Sequence, residues 1–198
     1  MKLDAQCLGI PLTYNGIKKE SKWVQQDIMK YYEPIIQYIG YPSDSIYVGI
    51  NSNVNEELNK HKITAESRGN MKELSKSNIS IAVCNTNIIK MNFRYEDMKP
   101  FEQNILNCYS VIIKNIDNFP IDISIRKIRP LALEIEEEPG KWKTIIEEYK
   151  HVCTTGDAHY FIKPKEIIIV VVPIIPNNKR HRFRIGKTYS NIFYQIPN

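Results

Sequence analysis

The residues with the plainest chemical potential are two histidines and a cysteine. His151, Cys153 and His159 offer two imidazoles and a thiol within nine residues, and zinc takes such ligands in a tetrahedral set. Asp157 is the nearest fourth ligand. The spacing matches no standard zinc pattern, so a polar loop between strands is the competing reading and no metal is assigned. A second group is Arg180, Arg182 and Arg184, which alternate with His181, Phe183 and Ile185. The two-residue period of a strand sets the three guanidiniums on one face, and Lys187 can extend the row. Such a row can grip phosphate, nucleic acid or an acidic glycan. The reading preferred here is a solvated outer face, paired with Glu134 and Glu136 of a neighbouring strand. Tyr31, Tyr32, Tyr38, Tyr41 and Tyr47 crowd the first half of the chain. Tyrosine is amphipathic and rigid, which suits either a partner-binding surface or a core with a wet rim. Glu136, Glu137 and Glu138 precede Pro139-Gly140, as a contribution to a calcium site or as a solvated turn.

Several chemistries are absent. The chain has no Gly-x-Ser-x-Gly elbow, no phosphate-binding Gly-Lys-Ser/Thr loop, no His-Glu-x-x-His and no dinucleotide glycine fingerprint. Cys84 and His61 form a thiol–imidazole pair only if the fold joins them, and a buried strand thiol is the default for Cys84. No catalytic residue and no cofactor are therefore assigned. The reading leans away from an enzyme, with a hydrolase site in the first half as the minor alternative.

Those side chains need elements to position them. At 198 residues, 42% hydrophobic and 25% charged, the chain is globular, with room for one large domain or two small ones. The net charge of +5 is shared evenly between the halves, so it points only weakly to anionic partners. The central stretch is Ile167-Ile168-Ile169-Val170-Val171-Val172, entirely β-branched, with Pro173 after it. A run so short and so branched reads as a strand buried on both faces. It is far short of the ~20 residues a membrane-spanning helix takes.

Residues 21–39 read as a helix: Ser21 can cap it, and Val24, Ile28, Tyr31, Ile35 and Ile39 recur at helical spacing. Pro34 kinks or restarts it. Ser45 to Ile50 reads as a strand, and 55–76 as a helix, a loop at Gly69-Asn70 and a second helix. Ile79 to Val83 is a strand with Ile88 to Phe93 as its hairpin partner. After Pro100 the helical period disappears and short strands follow one another: 109–115, 121–125, 131–136, 142–149, 160–162, the central run, 179–185 and 189–196. The reading is therefore α+β: a mixed α+β domain over 1–99 and an antiparallel β-sandwich over 100–198.

Three segments of the second half carry a resemblance. They are Arg129-Pro130-Leu131-Ala132-Leu133-Glu134-Ile135 with Trp142, Ile162-Lys163-Pro164-Lys165-Glu166, and Arg182-Phe183-Arg184-Ile185 with Tyr189-Ser190-Asn191. Together they resemble immunoglobulin-like β-sandwich domains of uncharacterised envelope or secreted proteins of Bacteroidetes. The resemblance implies a non-catalytic sandwich at the cell envelope or outside the cell. No secretory signal is visible, because Met1-Lys2 is followed by Asp4 and Gln6 rather than an apolar core; a cytoplasmic location is the alternative. Cys7, Cys84, Cys108 and Cys153 permit two disulfides in three pairings, and spacing selects none. The expected function is a non-enzymatic interaction protein that binds a protein partner, with no transmembrane segment. The alternative is a module for an anionic ligand, a polyanion gripped by the arginine row.

Overall fold

The computed structural model describes residues 12–14, 35–43, 46–48, 54–64, 68–93, 104–123, 131–146, 160–175 and 177–194. In chain order the elements are β1 (Leu12–Tyr14), β2 (Ile35–Gly40), β3 (Ile46–Val48), α1 (Val54–Lys60), a 3-10 turn (Arg68–Asn70), β4 (Lys72–Glu73), β5 (Ile79–Phe93) and β6 (Asn104–Asn115). Then come β7 (Ile121–Asp122), β8 (Ala132–Glu138), β9 (Lys141–Ile146), β10 (Phe161–Ile162), β11 (Ile167–Pro173), β12 (Arg180–Ile185), β13 (Thr188–Tyr189) and β14 (Phe193–Tyr194).

Strands hold 61% of the described residues, more than twice the share in an ordinary mixed domain. The class is all-β, which corrects the α+β expectation. The first half supplies the difference. Ile35 to Gly40 is a strand and not the end of a helix, because it finds a place beside β11, with Ile39 opposite Ile168 and Tyr38 opposite Ile169. The polar stretch 55–76 keeps one short helix, α1, and then the 3-10 turn and β4. The expected hairpin of 79–83 with 88–93 is one 15-residue strand, β5, whose register against β6 shifts between Cys84 and Ile89. A bulge of this kind bends a strand without ending it.

The four-stranded sheet runs β2-β11-β6-β5. Strand β11 lies inside it, antiparallel to both neighbours, and every residue from Ile167 to Pro173 is buried. The sequence expectation for this run is met, and each buried Ile or Val side chain contributes roughly 2 kcal/mol. Strands β2 and β5 precede residue 100, and β6 and β11 follow it. The change of pattern there falls in the connection between two neighbouring strands of one sheet, β5 and β6.

The second large sheet runs β13-β12-β8-β9, with β14 also paired to β12. Gly140, at φ 78°, makes the turn from β8 to β9, a conformation that costs glycine little. One hydrophobic cluster joins the two large sheets. Tyr109 of β6 meets Phe193 of β14 edge-on at 5.4 Å, and Phe193 stacks on Phe183 of β12 at 5.6 Å. At the edge of the four-stranded sheet, the Val83 backbone N–H donates to Asn191 Oδ1 at 2.8 Å. That side chain covers part of an edge that would otherwise invite another strand. A three-stranded sheet, β10-β7-β4, and the parallel pair β1 and β3 complete the described strands. No helix among the described residues is long and apolar enough to cross a membrane.

Candidate binding face

Strand β12 shows the alternation its sequence demands: His181, Phe183 and Ile185 are buried, and Arg180, Arg182 and Arg184 are half-buried on the other side. Antiparallel partners in register point to the same face. Arg182 lies opposite Glu134, Arg180 opposite Tyr194, and Arg184 opposite Tyr189. Trp142 of β9 lies opposite Glu136 of β8 and so joins the same face. Three strands and the β13–β14 segment thus assemble a surface of Trp142, Glu134, Glu136, the three arginines, Tyr189 and Tyr194.

The arginines are not a simple solvated row. Glu134 is buried and accepts from Arg182 Nε at 2.7 Å and from Arg184 Nε at 2.6 Å. Arg184 Nη1 also donates to the Gly186 carbonyl at 3.1 Å. Arg180 Nη1 meets Glu136 Oε2 at 2.7 Å, and the other Glu136 oxygen accepts the Gly140 N–H. The Arg182 guanidinium lies between two rings, 4.1 Å from the Trp142 centroid and 4.1 Å from that of Tyr189. Cation–π contacts of this kind contribute ~0.5–2 kcal/mol, more as water is excluded. These contacts tie the arginines, the ring faces and the carboxylates into one layer. Tyr189 and Tyr194 remain 46% and 60% exposed at its rim.

Lys187 is exposed in the turn that follows β12. Glu137 and Glu138 pair with Lys143 and Lys141, and Glu136 with Arg180, so cations already occupy the acidic run considered for calcium. No group of three or more metal-ligating side chains occurs among the described residues. The zinc candidates His151, Cys153 and His159 lie outside the described residues, as do Tyr31 and Tyr32. Tyr38 is half-buried and donates its hydroxyl hydrogen to the Tyr41 carbonyl, while the Tyr41 side chain is exposed. These two tyrosines belong to β2 and its exit and sit on a different sheet from the arginine face.

The imagined pairing of Cys84 with His61 does not occur. Cys84 is disulfide-bonded, while Cys108 keeps its thiol, which donates to the Leu106 carbonyl. The default of a buried strand thiol is therefore corrected at Cys84. Both nitrogens of His61 are engaged, Nδ1 with the Glu57 carbonyl at 2.8 Å and Nε2 with Glu166 Oε2 at 3.0 Å. Glu166 is placed by the turn Lys163–Glu166, where Lys165 takes φ 66° and the Lys163 N–H donates to Glu166 Oε2 at 2.8 Å. Burial opposes charge on His61, but the Glu166 carboxylate and the Glu57 carbonyl outweigh it and raise the imidazole pKa. Burial likewise opposes charge on Glu166, and His61 with the Lys163 N–H outweighs it and lowers that pKa. The pair is an internal imidazolium–carboxylate link between the end of α1 and the start of β11. With both ring nitrogens donating, His61 has no lone pair to act as a base.

Sequence reasoning identified the arginine row and its acidic neighbours but missed Trp142 and Tyr189 as the plates around Arg182. Their only signal is position on adjacent strands, which depends on register. No family model matches this chain, and the searches of characterised proteins and of solved structures return no match either.

Proposed function

We propose that this is a non-enzymatic binding protein whose contact surface is the outer face of the five-stranded sheet. In this reading the two large sheets act as an immunoglobulin-like β-sandwich that presents the face to a protein partner. The observation that carries it is Arg182, clamped between Trp142 and Tyr189 above the buried Glu134. Trp, Tyr and Arg dominate the energetics of protein interfaces. Side chains already fixed lose little entropy on binding, so a preorganised layer converts more of its contact into affinity. Residues 131–146 and 177–194 hold seven Lys and Arg against four Glu. That surplus favours a partner segment with carboxylates beside apolar side chains. The disulfide at Cys84 supports a place at the cell envelope or outside the cell, where disulfides persist.

A photo-crosslinking residue introduced at Tyr194, with a control at the exposed Asn118, tests the reading. A discrete protein adduct from position 194 alone, lost when Trp142→Ala is added, is the expected result. Equal labelling at both positions, or none, would overturn it. The anionic-ligand reading rests on the same cation surplus. It predicts instead sub-micromolar heparin affinity that weakens with salt and disappears in Arg180→Ser.

A further inference from the structure

We infer that His181 is a buried proton acceptor that makes the junction between the two large sheets open in acid. Its side chain is on the inward side of β12 and is fully buried. Neither ring nitrogen has a hydrogen-bond partner among the described residues. Phe193 stacks on the ring at 5.6 Å, and Phe193 in turn contacts Phe183 and Tyr109. Aromatic surface thus surrounds an imidazole that satisfies neither its donor nor its acceptor, an arrangement few native cores hold.

The charged groups nearby face the other way. On β12 itself Arg180, Arg182 and Arg184 lie on the outer face, and on β8 Glu134 and Glu136 are turned outward to meet them. The β8 residue opposite His181 is Ile135, and the β14 residue opposite it is Phe193, with Tyr194 outward. From β13 the inward residue is the Thr188 hydroxyl, and from β6 it is Tyr109. Among the described residues, therefore, no carboxylate faces His181 to neutralise an imidazolium there. Burial pushes the His181 pKa down to about 4, and only the Lys179 backbone, short of hydrogen-bonding geometry, favours the proton.

The sign follows from the two end states. Near pH 7 the ring is neutral both folded and unfolded, and the sheets stay together. As pH falls below 6.5, the ordinary value for an exposed imidazole, the open form takes up a proton that the closed form refuses. The closed form loses ground until the pH reaches the depressed value. The roughly 2.5 pH units between the two values lower the closed-to-open ratio by about 300-fold once both forms have titrated. Strand β12 carries the arginines on one side and His181 on the other, so opening dismantles the outer face as well. The opening itself stands whether or not that face binds a partner. The other buried pair, His61–Glu166, acts in the opposite sense, because its charges persist as the pH falls to the carboxylate range.

The test uses the full chain and two measurements. The first follows the imidazole carbon resonance of His181 by NMR from pH 7.5 to 4.5, with urea unfolding at each pH. The expected result is a resonance still neutral at pH 5.5 and an unfolding constant that rises about tenfold per pH unit below 6.5. The second compares His181→Phe and His181→Leu, which are expected to flatten that acid limb. A His181 resonance titrating near 6.5 in the folded protein would overturn the inference. An acid limb unchanged in a variant that folds would overturn it too. Should neither variant fold, the resonance alone decides.

Discussion

Replacing Glu134 by Gln asks whether the outer face is held by charge. The carboxylate receives two charge-assisted hydrogen bonds, from Arg182 and Arg184, whose side chains are only 20% and 23% exposed. A carboxamide keeps one acceptor oxygen and turns an NH2 group towards the second guanidinium, so one bond is lost and a donor faces a donor. Hydrogen bonds to charged groups contribute ~1.5–3 kcal/mol each. Breaking a fully buried pair costs ~3–5 kcal/mol, and the partial exposure of both arginines moderates that. The expected loss is therefore ~3 kcal/mol. Glu136→Gln is the internal control. Its partner Arg180 is 41% exposed, and the new amide oxygen can still accept the Gly140 N–H, so a loss of ~1 kcal/mol or less is expected. For a chain of this size ~1 kcal/mol shifts the melting temperature by ~2–4 °C. Thermal unfolding followed by circular dichroism should therefore show a drop of ~6–12 °C for Glu134→Gln and ~4 °C or less for Glu136→Gln. Equal drops for the two variants would refute the reasoning, because the exposure and bond count that separate them would then be irrelevant. The expected pairing of the arginines with Glu134 and Glu136 is present, and the side chains of Arg182 and Arg184 are mostly covered rather than solvated. Removing all three strands the buried Glu134 and should destabilise strongly.

Three further outcomes follow from the same geometry. Limited proteolysis in the β5–β6 connection, residues 94–103, should leave two fragments that co-elute on gel filtration, since β2 and β5 share a sheet with β6 and β11; separation without denaturant would contradict that sheet. Thiol titration of the denatured, unreduced protein should find two thiols per chain and four after reduction, because Cys84 is in a disulfide, Cys108 is a thiol and the chain has four cysteines. The raised pKa of His61 adds stability that is complete below about 6.5 and is lost as pH rises through the folded value. His61→Gln should therefore remove a decline in urea stability that sets in as pH rises above about 6.5, and an identical decline in the variant would show that the imidazolium–carboxylate link is not its cause.

What the sequence determined by itself is local and periodic. The β-branched run 167–172 could only be a strand covered on both sides, since no other element buries six consecutive branched side chains so economically. The alternation in 180–185 likewise separated the arginines from His181, Phe183 and Ile185 before any neighbour was known. The acidic and basic patterns of 134–136 and 180–184 even suggested each other as partners. The tertiary structure decided everything that depends on which strand lies beside which. Ile35 and Ile39 fit a helical stripe, but they also fit a strand, and the vacant edge of β11 selected the strand. Long-range pairing overrides a weak local preference in this way because ladder hydrogen bonds and burial outweigh a few tenths of a kilocalorie of propensity. The bulge between Cys84 and Ile89 joined two expected strands into one for the same reason: β6 was long enough to pair with both. The plates around Arg182 come from β9 and β13, more than 45 residues apart in the chain. A shift of one residue in either register would turn Trp142 or Tyr189 to the opposite face, and nothing local fixes that register. It is set where inward side chains interlock across the core, which is why the row was legible and the clamp was not.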